Sequence, residues 1–391
     1  MRKLIEKLIP IARDLRYLPK SIWAYTLVML IDVARKTVFN VMNEVGDYSN
    51  VNQSTSLLLV FMASSFFIIT KEKQRLNKSV KQIRPIMTYH ILGFISFIWA
   101  GNYAPIIMKA GEVILAILLM SIIINKIRNK RTCLTYILFW CFIPIIFDLI
   151  SRKFSFFHTN LYSFSAAMGL MICLGGVKYN IYKIKEIRNL IFLFILFIII
   201  GTSSASYIAT IIGFIVFISC SKKGIEVSRI FVTIGFFLIA WYIGEDIIKH
   251  YVFYGKDEAT IENATGRGAI WAAYMEMIKL KPLLGWGFLV GERMLSTVFS
   301  FEIKVISAHN SFMSSIVGMG IIGLLFFIYF IGDWLNTLYK FCLRKNIFAL
   351  ILLPAFAVFF INTNSFPAIG TDWNYVGTAA YTMYAFCKMK L

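Results

Sequence analysis

The chain has 391 residues, of which 59% are apolar and only 15% are charged, and its mean hydropathy is +0.72. Soluble domains contain about 25% charged residues, so a cytosolic enzyme and a disordered chain are both excluded. The formal net charge of +20 would indicate nucleic-acid binding in a soluble protein. Here the apolar residues form long runs, and this pattern predicts a polytopic membrane protein.

A hydrocarbon core of about 30 Å needs roughly 20 apolar residues per helix. Twelve candidate runs lie near 22–41, 55–70, 86–100, 106–125, 132–150, 161–177, 189–204, 206–220, 230–245, 309–331, 347–362 and 374–387. We therefore predict an all-α integral membrane protein of about twelve transmembrane helices. It divides into an N-terminal membrane region at 1–245, one large outer loop at 246–308 and a C-terminal membrane region at 309–391.

The basic residues predict the orientation, because Lys and Arg accumulate in cytoplasmic loops. With the N-terminus inside, 28 of the 40 Lys and Arg residues fall in inner segments, nine in outer segments and three within spans. Both termini are therefore predicted to be cytoplasmic. Membrane lipids with anionic headgroups are the expected partners of these charges. Nucleic acid is not, because no basic stripe with interleaved aromatics lies outside the predicted spans.

Five charged residues interrupt the predicted spans: Asp32, Arg35, Lys36, Lys109 and Glu112. Charges are costly in lipid, so they are expected to face the interior or an aqueous cavity. Two interpretations remain open for them, a functional site and mutual pairing. The six cysteines show neither CxxC nor ligand-like spacing to the histidines, so no metal site is predicted.

The long outer loop contains the first candidate site. Thr265-Gly266-Arg267 precedes a predicted helix from Gly268 to Leu280, with Ile270, Trp271, Tyr274 and Ile278 on one face. Thr265 at the cap would place Arg267 in the first turn, near free backbone N–H groups that favour an anion. The alternative is that Arg267 pairs with an acidic loop residue, namely Asp257, Glu258 or Glu262.

Two further motifs follow along the loop. Lys281-Pro282-Leu283-Leu284-Gly285-Trp286-Gly287 reads as a helix stop followed by a glycine-rich turn around an aromatic residue. Ala308-His309-Asn310-Ser311 stands where the chain re-enters the membrane, before Gly318, Gly320 and Gly323. An imidazole titrates near neutral pH, so His309 is a candidate general base. A polar residue at the membrane interface is the alternative interpretation.

The order of these motifs resembles the signature of the O-antigen ligase and polymerase superfamily. The residues that carry it are Thr265 to Arg267, Trp271, Lys281 to Phe288, Ala308 to Phe312 and Gly320 to Leu325. The predicted topology is also similar: about twelve spans, cytoplasmic termini and one large periplasmic loop before the tenth helix. The motifs cover roughly 60 residues, whereas the topology covers the whole chain.

The resemblance implies a glycosyltransferase of GT-C type in the bacterial inner membrane that needs no metal and no cofactor. Its donor would be an oligosaccharide on undecaprenyl diphosphate, transferred to a sugar hydroxyl at the periplasmic face. Arg267 would contact the diphosphate and His309 would act on the acceptor hydroxyl. Asn310 and Trp286 are further candidate substrate contacts.

One departure from the family pattern affects the diphosphate site. Many members carry a second arginine between helices seven and eight, where this chain has Gly201-Thr202-Ser203-Ser204-Ala205-Ser206. Other donors would then be required. The candidates are the hydroxyls of Thr202, Ser203 and Ser204 and the cations Lys281 and Arg293.

The sequence leaves three activities open. A polymerase would join lipid-linked repeat units, and a chain-length regulator is then a candidate partner. A ligase would move the finished glycan onto lipid A core. A lipid-linked oligosaccharide flippase is the rival from another class, although transporters tend to show internal repeats and none is evident here. The form of the HN motif and the compact KPLLGWGF element favour the polymerase.

Overall fold

The computed structural model of the chain describes residues 10–35, 49–101, 103–151, 160–201, 203–229, 231–235, 267–298, 308–365 and 375–391. The first half contains α1 (Lys20–Ala34), α2 (Ser49–Lys71), α3 (Lys73–Gln82), α4 (Arg84–Ile95), α5 (Tyr103–Lys126), α6 (Lys130–Ser151), α7 (Asn160–Lys178), α8 (Ile184–Ile200) and α9 (Ser204–Ser219). The second half contains α10 (Arg267–Leu280), α11 (Val290–Arg293), α12 (Leu295–Val298), α13 (Ser311–Leu343), α14 (Ile347–Asn362) and α15 (Tyr375–Lys390).

Short elements complete these helices. One 3-10 helix, Pro10–Tyr17, precedes α1, and another, Ser96–Ile98, extends α4. The strands β1 (Cys220–Ser221) and β2 (Gly224–Ile225) form an antiparallel hairpin directly after α9, with Cys220 opposite Ile225.

The helices confirm an all-α, multi-pass membrane protein. Within the described ranges, four segments are long and apolar enough to cross a membrane: Ser54–Lys71, Tyr103–Lys126, Lys130–Phe147 and Ser311–Leu343. Shorter apolar helices occupy Tyr162–Lys178, Ser204–Ser219 and Ile347–Asn362. Every predicted span overlaps helical residues; of the ninth, near 230–245, the structure describes 231–235, and these are helical. The count of twelve and the GT-C architecture stay predictions.

The bundle has one continuous apolar core. Helix α14 packs against α7 and α9, α13 packs against α4, and α15 packs against α5 and α6. Two buried polar contacts tie α4 to its neighbours. The hydroxyl groups of Tyr89 and Ser315 lie 2.8 Å apart, and His90 Nε2 lies 2.9 Å from the hydroxyl of Tyr381. Both pairs join segments that are more than 200 residues apart in the chain.

The charges inside the predicted spans pair with one another. Arg35 Nη2 contacts Asp32 Oδ1 at 3.0 Å and Glu112 Oε1 at 2.9 Å, and all three side chains are buried. Lys109 Nζ lies 3.6 Å from the second carboxylate oxygen of Glu112. Pairing compensates charges that are removed from water. This favours the pairing interpretation for these four residues; Lys36 lies outside the described residues.

Helix α13 is broken near its start. Met319 and Gly320 have non-helical backbone angles, and Gly320 adopts φ +65° and ψ −165°, a region open almost only to glycine. The helix at the predicted tenth span, 309–331, therefore bends at Gly320 and then continues past the predicted end to Leu343. Its far end is held where Asp333 accepts hydrogen bonds from Tyr384 and Lys388.

The glycine-rich segment 282–287 pairs with this break. The N–H groups of Trp286 and Gly287 donate to the carbonyls of Val317 and Gly318 at 3.0 and 2.7 Å, and Ile321 N–H donates to Pro282 at 2.8 Å. A Cβ on Gly285 would lie 2.5 Å from the backbone nitrogen of Gly320. Non-helical backbone within a membrane bundle requires such partners. We call this contact the loop–helix seam.

Candidate active site at the loop end of the bundle

Three helix ends meet on the side of the bundle where segment 246–308 is inserted, which we call the loop end. Helix α9 begins here, and the hydroxyl of its N-cap residue Ser203 accepts a hydrogen bond from Ser206 N–H at 3.3 Å. The Ser206 hydroxyl donates to Asn362 Oδ1 at 3.2 Å, in the last turn of α14. The start of α9 is thereby attached to the end of α14.

The start of α13 is attached to residues 362–364 at the end of α14, which we call the corner. Ser311 N–H donates to the carbonyl of Thr363 at 2.9 Å, and Asn310 Nδ2 donates to the carbonyl of Asn364 at 3.3 Å. Asn310 is the N-cap of α13, and its side-chain oxygen accepts the N–H groups of Phe312 and Met313. The first N–H groups of α13 are therefore already satisfied, so this helix end is not an open anion site.

His309 directly precedes this cap and is half-buried. Its backbone has φ +52°, the left-handed conformation that residues with a Cβ rarely adopt. Side chains hold the preceding residue, Ala308, on both sides. Its N–H donates to Glu292 Oε2 at 2.7 Å, and its carbonyl accepts the indole N–H of Trp271 at 2.9 Å. We call these two hydrogen bonds the Ala308 clamp.

The clamp is built on a small apolar cluster beside the main core. Its buried members are Tyr274, Met277, Leu295, Ala308 and Val317. The Tyr274 hydroxyl donates to the backbone carbonyl of Glu292 at 2.9 Å. Burial raises the pKa of Tyr274, and the nearby charge of Glu292 raises it further. The phenol therefore stays protonated and serves as a fixed donor that locates α11 against α10.

The KPLLGWGF element anchors the other end of α10. Trp286 donates its indole N–H to the carbonyl of Met277 at 2.9 Å, and Lys281 Nζ lies 4.2 Å from the centre of the Trp286 ring. Trp99 donates its indole N–H to the carbonyl of Leu284 at 2.7 Å.

Within the described part of the chain, no group of three or more His, Cys, Asp or Glu side chains is arranged to hold a metal ion.

Comparison with known proteins identifies the segment that contains this site. Residues 190–328 match a family model described as O-Antigen ligase. This match confirms, over these residues, the resemblance to the O-antigen ligase and polymerase superfamily. The match spans α9, the loop with its α10 helix, the Ala308 clamp and the broken start of α13. No curated protein sequence matches the chain.

The superfamily resemblance placed its main roles on Arg267 and His309. Arg267 is the first residue of α10, as predicted to within one residue, and its side chain lies outside what the structure describes. Trp271, one turn further along α10, donates to the residue before His309. The start of the arginine-bearing helix and the histidine turn are therefore neighbours, although 42 positions separate Arg267 from His309 in the chain.

The other predicted diphosphate ligands are separated by the structure. Thr202 lies outside the described residues, as do Thr265 and the rival acids at 257, 258 and 262. The hydroxyl of Ser203 caps α9, and Ser204 is buried. Lys281 follows the far end of α10, about 20 Å from Arg267 at 1.5 Å per residue. That separation argues against one diphosphate held by both residues.

Arg293 is placed differently from Lys281. It is exposed, ends α11 and is adjacent to Glu292, which holds Ala308. The structure gives Trp286 and Asn310 structural contacts, in the seam and at the α13 cap; their predicted contacts with substrate stay predictions. Of the two candidate second cations, Lys281 and Arg293, only Arg293 is adjacent in sequence to a residue of the Ala308 clamp, Glu292.

Sequence reasoning missed Glu292 and residues 362–364. A single glutamate in the segment Leu289-Val290-Gly291-Glu292-Arg293 has no pattern that identifies its partner, which is the backbone of Ala308. Asn362 is the last residue of the predicted span 347–362 and had no assigned role. Its role could have been predicted from the adjacent residues. Asn362-Thr363-Asn364 is a run of hydrogen-bonding residues at a helix end, where capping contacts occur.

Proposed function

We propose that this chain is a polymerase of O-antigen or another surface polysaccharide. It transfers an oligosaccharide from undecaprenyl diphosphate onto a sugar hydroxyl of a second lipid-linked repeat unit at the periplasmic face of the inner membrane. The observation that carries the proposal is the proximity of two motifs: the helix that begins at Arg267 supplies Trp271, which donates to the residue preceding His309.

The chemistry requires few groups. A hydroxyl oxygen of the acceptor attacks the anomeric carbon of the donor, and the bond from that carbon to the diphosphate oxygen breaks. The departing lipid diphosphate takes the electron pair, and the hydroxyl proton passes to the imidazole of His309. Arg267, with Arg293 as the second cation, stabilises the charge that develops on the diphosphate. The diphosphate is already a good leaving group.

The loop end suits such a reaction. The start of α9, the corner at 362–364 and the start of α13 are joined by direct hydrogen bonds, so the groups around His309 rest on helices rather than on a free loop. Catalytic groups that are supported in this way are held near one geometry. The predicted orientation, with basic segments inside, places this end at the periplasmic face.

A ligase is the second candidate, and the description of the matching family, O-Antigen ligase, favours it. It would use the same donor and the same residues, with lipid A core as acceptor. The family match also favours a transferase over the lipid-linked oligosaccharide flippase.

The test is the glycan made by a deletion strain. A single repeat unit on lipid A core indicates a lost polymerase, whereas accumulated lipid-linked polymer indicates a lost ligase. Repeat units that stay on the cytoplasmic side indicate a lost flippase and would overturn the proposal.

Complementation with variants tests the site. Arg267→Ala and His309→Ala are each expected to abolish long-chain glycan while the protein still reaches the membrane. Lys279→Ala is the matched control, because Lys279 is exposed on the same helix and pairs only with the exposed Glu276 among the described contacts. Wild-type chain lengths from either site variant would refute the assignment of the site.

A further inference from the structure

The buried carboxylate of Glu292 has no role in the chemistry proposed above. It is 4% exposed, and its Oε2 accepts the N–H of Ala308 at 2.7 Å. A short hydrogen bond from a backbone N–H to a carboxylate is among the stronger hydrogen bonds in proteins. Its location, one residue before His309, indicates what it does.

We propose that Glu292 is a positioning residue for His309 and acts with Trp271 through the backbone of Ala308; this inference rests on the proposed function. Glu292 binds the N–H of Ala308 from α11, and Trp271 binds its carbonyl from α10. The carbonyl of Ala308 belongs to the peptide that precedes His309. A rotation of that peptide breaks the bond to Trp271, and a rotation on the other side of Ala308 breaks the bond to Glu292.

The backbone of His309 shows why a clamp is needed. At φ +52° the residue is in a region that is unfavourable for any side chain with a Cβ. Asn310 caps α13 on the other side of His309, and Ser311 N–H is held by Thr363. His309 is therefore the residue between two fixed supports, and the direction of its imidazole depends on both. Loss of the two hydrogen bonds to Ala308 allows the backbone of His309 to leave the left-handed region.

Two further contacts locate Glu292 itself. Tyr274 donates to the backbone carbonyl of Glu292 at 2.9 Å, and Gly291 N–H donates to the carbonyl of Gly287 in the glycine-rich segment. The loop–helix seam, α11 and the histidine turn therefore form one chain of hydrogen bonds. This gives the KPLLGWGF element a role in the site: it supports the residue that holds Ala308.

The experiment measures steady-state kinetics of the purified full chain in detergent micelles. The donor is lipid-linked oligosaccharide extracted from the deletion strain, and the readout is release of polyprenyl diphosphate. Glu292→Ala should lower kcat by roughly 10- to 100-fold, the cost of a misplacement of about 1 Å, while KM for the donor stays within about twofold. Glu292→Gln should recover most of the rate, because its amide oxygen can still accept from Ala308.

Two matched variants complete the set. Trp271→Phe removes the donor to the Ala308 carbonyl, keeps an aromatic ring and should also lower kcat without raising KM. Glu276→Ala removes an exposed glutamate from α10 and should leave both constants unchanged. If Glu292→Ala fails to fold, Trp271→Phe decides the question, because it removes the other hydrogen bond of the Ala308 clamp.

The outcomes separate the two proposals. Wild-type kcat in a folded Glu292→Ala protein or in Trp271→Phe overturns the positioning role. A rise in KM with unchanged kcat also overturns it, since that indicates lost donor binding. If Arg267→Ala and His309→Ala keep wild-type rates, the proposed function itself fails. If they abolish activity while Glu292→Ala and Trp271→Phe keep the wild-type kcat, only the positioning role is lost.

Discussion

Replacement of Gly320 by alanine tests whether the loop–helix seam supports the site. Gly320 adopts φ +65° and ψ −165°, and a Cβ there would lie 2.1 Å from the carbonyl oxygen of Leu283 and 2.5 Å from the nitrogen of Leu284. Both neighbours are backbone atoms, so a side chain cannot rotate away to make room. The segment 282–287 would have to move out of the break in α13.

The loss of folding free energy comes from the strained conformation of the new residue and from the hydrogen bonds that the movement weakens. A residue with a Cβ in this conformation costs about 1–3 kcal/mol. Displacement also weakens the hydrogen bonds from Gly287 to Gly318 and from Ile321 to Pro282, each worth about 0.5–1.5 kcal/mol. The total is roughly 2–6 kcal/mol. At about 2 °C per kcal/mol, the unfolding midpoint should fall by roughly 4 °C or more.

The assay is thermal unfolding of the full chain in detergent micelles, followed by measurement of transfer activity on the folded fraction. Gly332→Ala is the control, since Gly332 lies in the same helix, is exposed and has no atom within 4 Å of a built Cβ. That change should be neutral or slightly stabilising. Equal midpoints and equal activities for the two variants would refute the seam as a support of the site.

Two further predictions concern charged residues. Arg35→Leu leaves buried carboxylates at Asp32 and Glu112 and should destabilise the protein by about 3–5 kcal/mol, measured by thermal unfolding in micelles. Although burial raises the pKa of Glu72, hydrogen bonds from Lys126, Tyr25 and Arg75 lower it from 4.5 to about 2. Ionised Glu72 thus stabilises the fold above pH 4.5, by about 2–3 kcal/mol. Glu72→Gln should lower the midpoint at pH 7, and this difference should shrink as the pH falls from 4.5 towards 2.

Each has a contradicting result. Lys109→Ala is the control for Arg35, because Lys109 is partly exposed and lies 3.6 Å from Glu112; an Arg35 variant as stable as this control would contradict the role of Arg35 in compensating the carboxylates. For Glu72, a stability difference that persists unchanged at low pH would show that packing, rather than the charge, is responsible.

Local features of the chain predicted much of this protein. Apolar runs of about 20 residues require helices in a membrane, because backbone polar groups in lipid must be satisfied within the segment. The start of α10 was predicted to within one residue and its end at Leu280 correctly, from the periodic face and the Lys-Pro stop. The order of the motifs was sufficient to recognise the superfamily that the family match confirms for residues 190–328.

The tertiary structure decided how the motifs meet. In the sequence, Gly285 and Gly320 are two glycines 35 positions apart. Only the fold shows that the backbone at Gly285 packs against the break in α13 at Gly320. Glu292 and Trp271 converge on Ala308 from two helices. Hydropathy and periodicity describe neighbours along the chain, whereas these contacts depend on which helix ends pack together. Hydrogen bonds from side chains to a distant backbone group produce no periodic pattern in the sequence, so the Ala308 clamp could be found only in three dimensions.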